Sequence, residues 1–275
     1  ERIADALDRL APETSLVHDL DAADAFVWHG ESSKFEPVFQ VNRVDLKLLK
    51  GVKHQASQLL ANTKRFANFL PANNALLWGA RGTGKSSLVK AVHATINEQK
   101  MASLCLIEIH REDLQFLSNL LQILRSCDRQ CIIFCDDLSF DISDSSYKAL
   151  KTMLEGGIEG RPKNILFYAT SNRRHLMPRD MIENETSTSI NPNEAVDEKV
   201  SLSDRFGLWL GFHTCDQKTY FDIVQGYADF FQLKISPEDL RAQAMEWSIT
   251  RGSCSGRVAW QFIQDLAGIL GKKIE

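Results

Sequence analysis

Gly79-Ala80-Arg81-Gly82-Thr83-Gly84-Lys85-Ser86 lies between an apolar run, Ala75-Leu76-Leu77-Trp78, and a stretch from Ser86 to Glu98 with helical patterning. The loop fits G-x-x-x-x-G-K-[ST] at every fixed position, with a strand before it and a helix after it. Glycines let such a backbone curl until several N–H groups converge on phosphate oxygens. The helix that follows adds the positive end of its dipole. Lys85 is expected to reach the β- and γ-phosphates, and the Ser86 hydroxyl to ligate Mg²⁺. Ala80, Thr83 and Ser87 complete the expected phosphate contacts from Gly79 to Ser87. Arg81 holds a free position in the pattern and reads as solvent-facing.

A phosphate loop of this kind needs a second contact to the metal. Cys131-Ile132-Ile133-Phe134-Cys135-Asp136-Asp137 supplies it, as an apolar strand ending in two carboxylates, the Walker B pattern. Asp136 is expected to hold Mg²⁺, and Asp137 to orient or deprotonate the attacking water. Asp141 and Asp144 read as loop or helix-cap residues. At the end of the next strand, Thr170-Ser171-Asn172-Arg173-Arg174 presents Asn172 as the side chain to hold that water. Asn172 also reads as an asparagine that ends a strand through turn chemistry.

Strands and helices alternate around these motifs. Runs at Leu104–Ile109, Cys131–Cys135, Ile165–Thr170 and Leu208–Phe212 read as strands, with Ala75–Trp78 making five. Helical spacing occurs over Asp45–Phe69 with a break at Gly51, over Asp113–Arg125 and over Ser145–Leu154. Such alternation predicts a parallel five-stranded sheet flanked by helices. After Asp216 the pattern is helical to the end. Pro237 sits at a helix start, and Gly252 to Gly256 separates the last two helices. The expected division is an N-terminal extension over 1–44, an α/β nucleotide-binding domain over 45–215 and a small helical lid over 216–275. Within the extension, after a first short helix-like stretch, Phe26–Trp28 and Pro37–Phe39 read as short strands against the main body. The polar stretch at 180–203 reads as a mobile loop without core pattern.

Composition excludes some classes. The 275 residues carry a net charge of −4, with 44% hydrophobic and 25% charged residues, which is ordinary for a globular chain. That balance gives no broad attraction to nucleic acid or an anionic membrane. No apolar run is long enough to span a bilayer. The opening Glu1-Arg2-Ile3-Ala4-Asp5 does not read as a signal peptide, and it lacks an initial Met, as a trimmed chain would. The six cysteines are spaced unlike zinc ligands and read as buried thiols in a reducing cytoplasm. Lys272 and Lys273 read as a solvated tail.

In this order, the strand, phosphate loop, helix, acidic strand end and polar tip resemble the AAA+ superfamily of ATPases. The resemblance implies a P-loop AAA+ fold, ATP and Mg²⁺ as ligands, and a segment before the loop that packs on adenine. That segment makes Leu49, Gly51 and Val52 candidates for base contact. Ser203-Asp204-Arg205-Phe206-Gly207-Leu208-Trp209-Leu210 is similar to box VII of initiator and helicase-loader relatives, which carries an arginine finger. Arg205 would then face a neighbouring subunit's γ-phosphate, and the chain would assemble as a homo-oligomer. Arg205 also reads as an arginine paired on its own surface. Ser255-Gly256-Arg257-Val258-Ala259-Trp260 resembles a sensor-two motif, in which Arg257 reaches the nucleotide from the lid. Three stretches look like a bacterial family of AAA+ ATPases catalogued as a domain of unknown function. They are Pro71–Ser87, Leu154-Glu155-Gly156-Gly157-Ile158-Glu159-Gly160-Arg161-Pro162, and Tyr168-Ala169-Thr170-Ser171-Asn172-Arg173-Arg174-His175-Leu176. The resemblance covers about 35–272.

Two departures bear on function. The acidic strand ends Asp-Asp, where many AAA+ motors have Asp-Glu. The stretch His110-Arg111-Glu112-Asp113-Leu114 lacks the aromatic-apolar-glycine pore loop of unfoldases. Gly156–Pro162 reads as a helix-to-strand turn, near a subunit interface through Arg161. The leading expectation is a cytoplasmic, Mg-dependent ATPase driving an oligomeric switch or remodelling a protein or nucleic-acid client, with no membrane partner. The alternative is a slow or inactive ATP-gated binding module. A small-molecule kinase would need an acceptor pocket and no Ser-Gly-Arg lid helix.

Overall fold

The computed structural model describes residues 19–99, 103–140, 146–156, 160, 162–174, 176 and 202–274. The expectations for residues 1–18, Asp141, Asp144, Ser145, Gly157–Glu159, Arg161, His175 and 180–201 lie outside them.

The alternating burial of each strand decides the layers. Ile133, Cys131 and Cys135 of β5 (Cys131–Cys135) enter one core, while Ile132 and Phe134 enter another on the opposite face. The same alternation runs through β4 (Cys105–Ile109), β6 (Ile165–Ser171) and β3 (Ala75–Gly79). Strands buried on both faces are near-continuously apolar, as these are. One face is covered by α1 (Lys53–Ala67) and α2 (Lys85–Glu98), through Leu59, Phe66, Leu88, Val92 and Ile96. The other is covered by α3 (Leu117–Arg125) and α4 (Tyr147–Glu155), through Leu117, Leu120, Leu124, Leu150 and Met153.

Among the described residues the sheet has seven strands, not five, in the order β2-β1-β4-β5-β6-β3-β7, with β7 at Leu208–Phe212. The two additional strands come from the region assigned to an extension. β1 (Ala25–His29) pairs in parallel with β4, placing Phe26 opposite Ile107. β2 (Lys34–Pro37) returns antiparallel along β1. The alternation of Phe26 and Trp28 explains the addition: both side chains enter the core beside β4, whose edge would otherwise stand open. β2 lies earlier than the expected Pro37–Phe39. Phe39 is 81% exposed, so it gains nothing from sheet pairing.

The helix expected from Asp113 to Arg125 is divided. Arg111–Phe116 forms a 3₁₀ turn, and the α-helix starts at Leu117. The three C-terminal helices are α5 (Gln217–Phe230), α6 (Pro237–Arg251) and α7 (Gly256–Ile269). Each begins at a side-chain cap, Asp216, Ser236 and Ser255 in turn. They enclose a core of their own, built from Tyr220, Val224, Leu240, Ala244, Phe262 and Ile263. Leu48, from the segment before α1, joins that core and links it to the sheet side.

All six cysteines are free thiols. Burial pushes the Cys135 thiol up to about 12, so it stays protonated and packs as an apolar group.

Candidate functional site

The parallel strands deliver the loop and both polar tips to one end of the sheet. β3 ends at Gly79, whose φ is 136°. A Cβ there would lie 1.9 Å from the Phe212 carbonyl oxygen, so only glycine allows β7 this close. The loop then turns through Gly82 (φ 73°) and Gly84 (φ 90°) into α2. Gly84 caps α2 without a side-chain hydrogen bond, so no cap side chain covers the first N–H groups of the helix.

Lys85 is 7% exposed and folds back over its own loop. Its ammonium donates to the carbonyls of Gly79 and Ala80, both at 2.8 Å, and to Asn172 Oδ1 at 3.2 Å. Burial pulls the Lys85 pKa below its usual value. Asp136 and Asp137 pull it back up, and Arg81 and Arg257 add to the lowering. One residue on, the Ser86 hydroxyl donates to Asp136 Oδ1 at 2.6 Å. Asn172 bridges the loop to the second acid: its amide oxygen accepts from Lys85 and its amide nitrogen donates to Asp137. Arg81 is exposed, as expected of a free position, with its guanidinium 3.9 Å from the Asp137 carboxylate.

Asp137 has the left-handed φ of 51°, uncommon for a side-chain-bearing residue. Its backbone N–H donates to Thr170 Oγ1 at 2.9 Å. The same hydroxyl donates to the Asp136 carboxylate. A cleft of about 430 Å³ opens beside the two aspartates, bounded by Glu108–Glu112 at the tip of β4 and by Ser139.

The C-terminal helices touch the loop directly. Gly256 N–H at the start of α7 donates to the Gly82 carbonyl at 2.9 Å. A Cβ on Gly82 would stand 3.1 Å from Ser255 and 3.5 Å from the Arg257 Cβ. Arg257 is therefore brought to the loop, with an exposed side chain. The segment before α1 fills the remaining side. Leu49 approaches Gly84, and Gly51, with φ 75°, lies against Thr219 of α5. Val52 is buried.

Arg205 stands apart from this set. It is ion-paired with Glu155 at the end of α4, on its own chain. The sequence reading missed Glu155, for which no motif speaks. It also missed Thr170, which stands near the end of β6, two residues before Asn172. The asparagines of Pro71-Ala72-Asn73-Asn74 brace the entry to β3. Asn74 Oδ1 accepts the Phe167 N–H at 2.9 Å, and Asn62 accepts the Asn73 N–H at 3.1 Å.

The donor chemistry fits a magnesium nucleotide. Hard oxygen donors from Ser86 and Asp136 are already adjacent, beside a buried ammonium and an open helix N-terminus.

A family model described as "Protein of unknown function (DUF815)" matches residues 21–270. No curated protein matches the sequence. Among solved structures, the Thermotoga maritima RuvB Holliday junction branch migration motor aligns with a TM-score of 0.52 at 16% identity, over 83% of this chain and 66% of that one. A variant of the same RuvB gives 0.54 at 17% identity, over 85% and 68%. The chain thus spans about two thirds of the length of these structures. At such identities the likeness is one of fold, an AAA+-type α/β architecture with a largely parallel sheet flanked by helices. No helix among the described residues is long and apolar enough to cross a membrane.

Proposed function

The chain belongs to the DUF815 family, and from that premise we propose that it is a Mg²⁺-dependent ATPase whose active site is completed by a second copy of itself. The observation that carries this reading is the closed polar set at the strand tips. Lys85 contacts Asn172, Asn172 contacts Asp137, and Ser86 contacts Asp136. That contact pattern supports the roles expected of Lys85, Ser86, Asp136, Asp137 and Asn172.

Gly79 to Ser87 would cradle the phosphates with backbone N–H groups, and Lys85 would exchange its loop carbonyls for phosphate oxygens. Ser86 and Asp136 would hold Mg²⁺, which supplies positive charge against the phosphate oxygens. Asp137 would orient a water and accept its proton, with Asn172 setting the carboxylate's direction. Arg257 would add charge from α7, and Leu49, Gly51 and Val52 would face the base. The proposed division is a sheet domain over 45–215 and a helical lid over 216–275. Within the region over 1–44, Ala25–His29 and Lys34–Pro37 widen the sheet as β1 and β2.

Arg205 would act in trans as an arginine finger, leaving Glu155 when subunits assemble. The nucleotide would then stabilise the oligomer, and light scattering with and without ATP tests this. Steady-state turnover of Mg²⁺-ATP tests the enzyme reading. Phosphate release that disappears in Lys85→Ala supports it. Tight nucleotide binding without release in any assembly state leaves the ATP-gated binding module instead. The second acid, Asp137 where many AAA+ motors carry Glu, favours that second reading, because its carboxylate sits one methylene further back.

A further inference from the structure

We propose that Thr170 is a positioning residue that aims the Asp136 carboxylate at Ser86 and fixes the turn carrying Asp137. The proposal rests on the magnesium-nucleotide reading of this site.

One residue holds three in succession. The Thr170 hydroxyl gives its single proton to Asp136 Oδ1, the oxygen that also accepts from Ser86. Its lone pair receives the Asp137 N–H at 2.9 Å. Its main-chain carbonyl receives the Leu138 N–H at 2.7 Å. The side chain is 1% exposed, so water does not compete for these bonds. The turn they hold is the one in which Asp137 takes its left-handed φ of 51°. An L-residue stays in that region only where its surroundings determine it.

The consequence is coupling between two strands. β6 carries Thr170 near its end, and Asn172 follows the strand directly. β5 carries the two acids. Through Thr170, a shift of β6 moves the proposed metal carboxylate and the proposed base together. Thr170 touches neither nucleotide nor metal in this scheme. Its effect passes through Asp136 and Asp137.

The test is calorimetric titration of ADP and ATP into the whole chain, with Mg²⁺ and with EDTA, alongside turnover. Thr170→Val keeps the shape and removes the hydroxyl. It is expected to bind nucleotide in EDTA within about twofold of the parent, and to raise the Mg²⁺ concentration for half-maximal effect about tenfold. Thr170→Ser restores the hydroxyl and is expected to return that concentration to the parent value. Should the valine chain fail to fold, Thr170→Cys, a weak donor, is expected to fall between the parent value and the about tenfold increase expected of valine. Unchanged Mg²⁺ dependence in the valine chain, or in the cysteine chain where valine does not fold, overturns the positioning role. A parent chain that binds no nucleotide under either condition overturns the underlying reading instead.

Discussion

The strand-tip site and the Arg205 segment carry the same kind of chemistry and are built in opposite ways. At the tips, Lys85, Ser86, Asp136, Asp137, Thr170 and Asn172 bond to one another across three elements, the start of α2 and the ends of β5 and β6. Around Arg205, the charged group turns to a carboxylate that belongs to no part of that set. A single chain can assemble the first region unaided. Arg205 directs its ion pair to Glu155, away from the first region. The difference sets up a test: in the proposed scheme the phosphate and metal groups come from one chain, and Arg205 would serve a second copy.

Four substitutions test this contrast, beyond those at Thr170. Lys85→Ala strikes the intrinsic set. Nucleotide affinity is expected to fall at least about 100-fold, and turnover to background, by calorimetry and phosphate release. Near-normal affinity would mean that the loop does not hold phosphate. Arg205→Ala strikes the other region. Nucleotide binding should survive while turnover per subunit drops on the order of 10³-fold. An unchanged rate would reduce Arg205 to a surface pair with Glu155. Asn172→Ala removes the bridge between the ammonium and the second acid. It should lower kcat about 100-fold with KM little changed, which separates it from the lysine variant. Glu155→Gln gives the smallest effect. Loss of a partly exposed pair should change stability by less than about 1 kcal/mol. The turnover of dilute chain should nonetheless rise at a lower protein concentration, because the Glu155 carboxylate no longer holds Arg205. A concentration profile identical to the parent's would count against the finger.

The loop itself could be read from the sequence, because its function requires fixed residue types at fixed spacing. The same holds for Asp136 and Asp137, which end an apolar strand, and for the capped helix beginning at Pro237. The sheet edge was harder to foresee. Ala25–His29 is a short apolar run like many others, and only its pairing with β4, about 80 residues downstream, makes it a sheet strand. Glu155 was invisible for a related reason. An ion pair depends on where a helix ends in space, and no local pattern encodes that. Thr170 fell between these cases, since its position two residues before Asn172 was informative and its partners were not.

One contact has a wider meaning. β7 presses its last carbonyl against Gly79, and α7 hydrogen-bonds to Gly82. The chain from β7 onward therefore meets the phosphate loop at two points, once at the end of that strand and once where the last helix begins. Loop and helices form a closed mechanical linkage. By reciprocity, a ligand that reshapes the loop biases the helices by the same free energy with which a partner docked on those helices biases the loop.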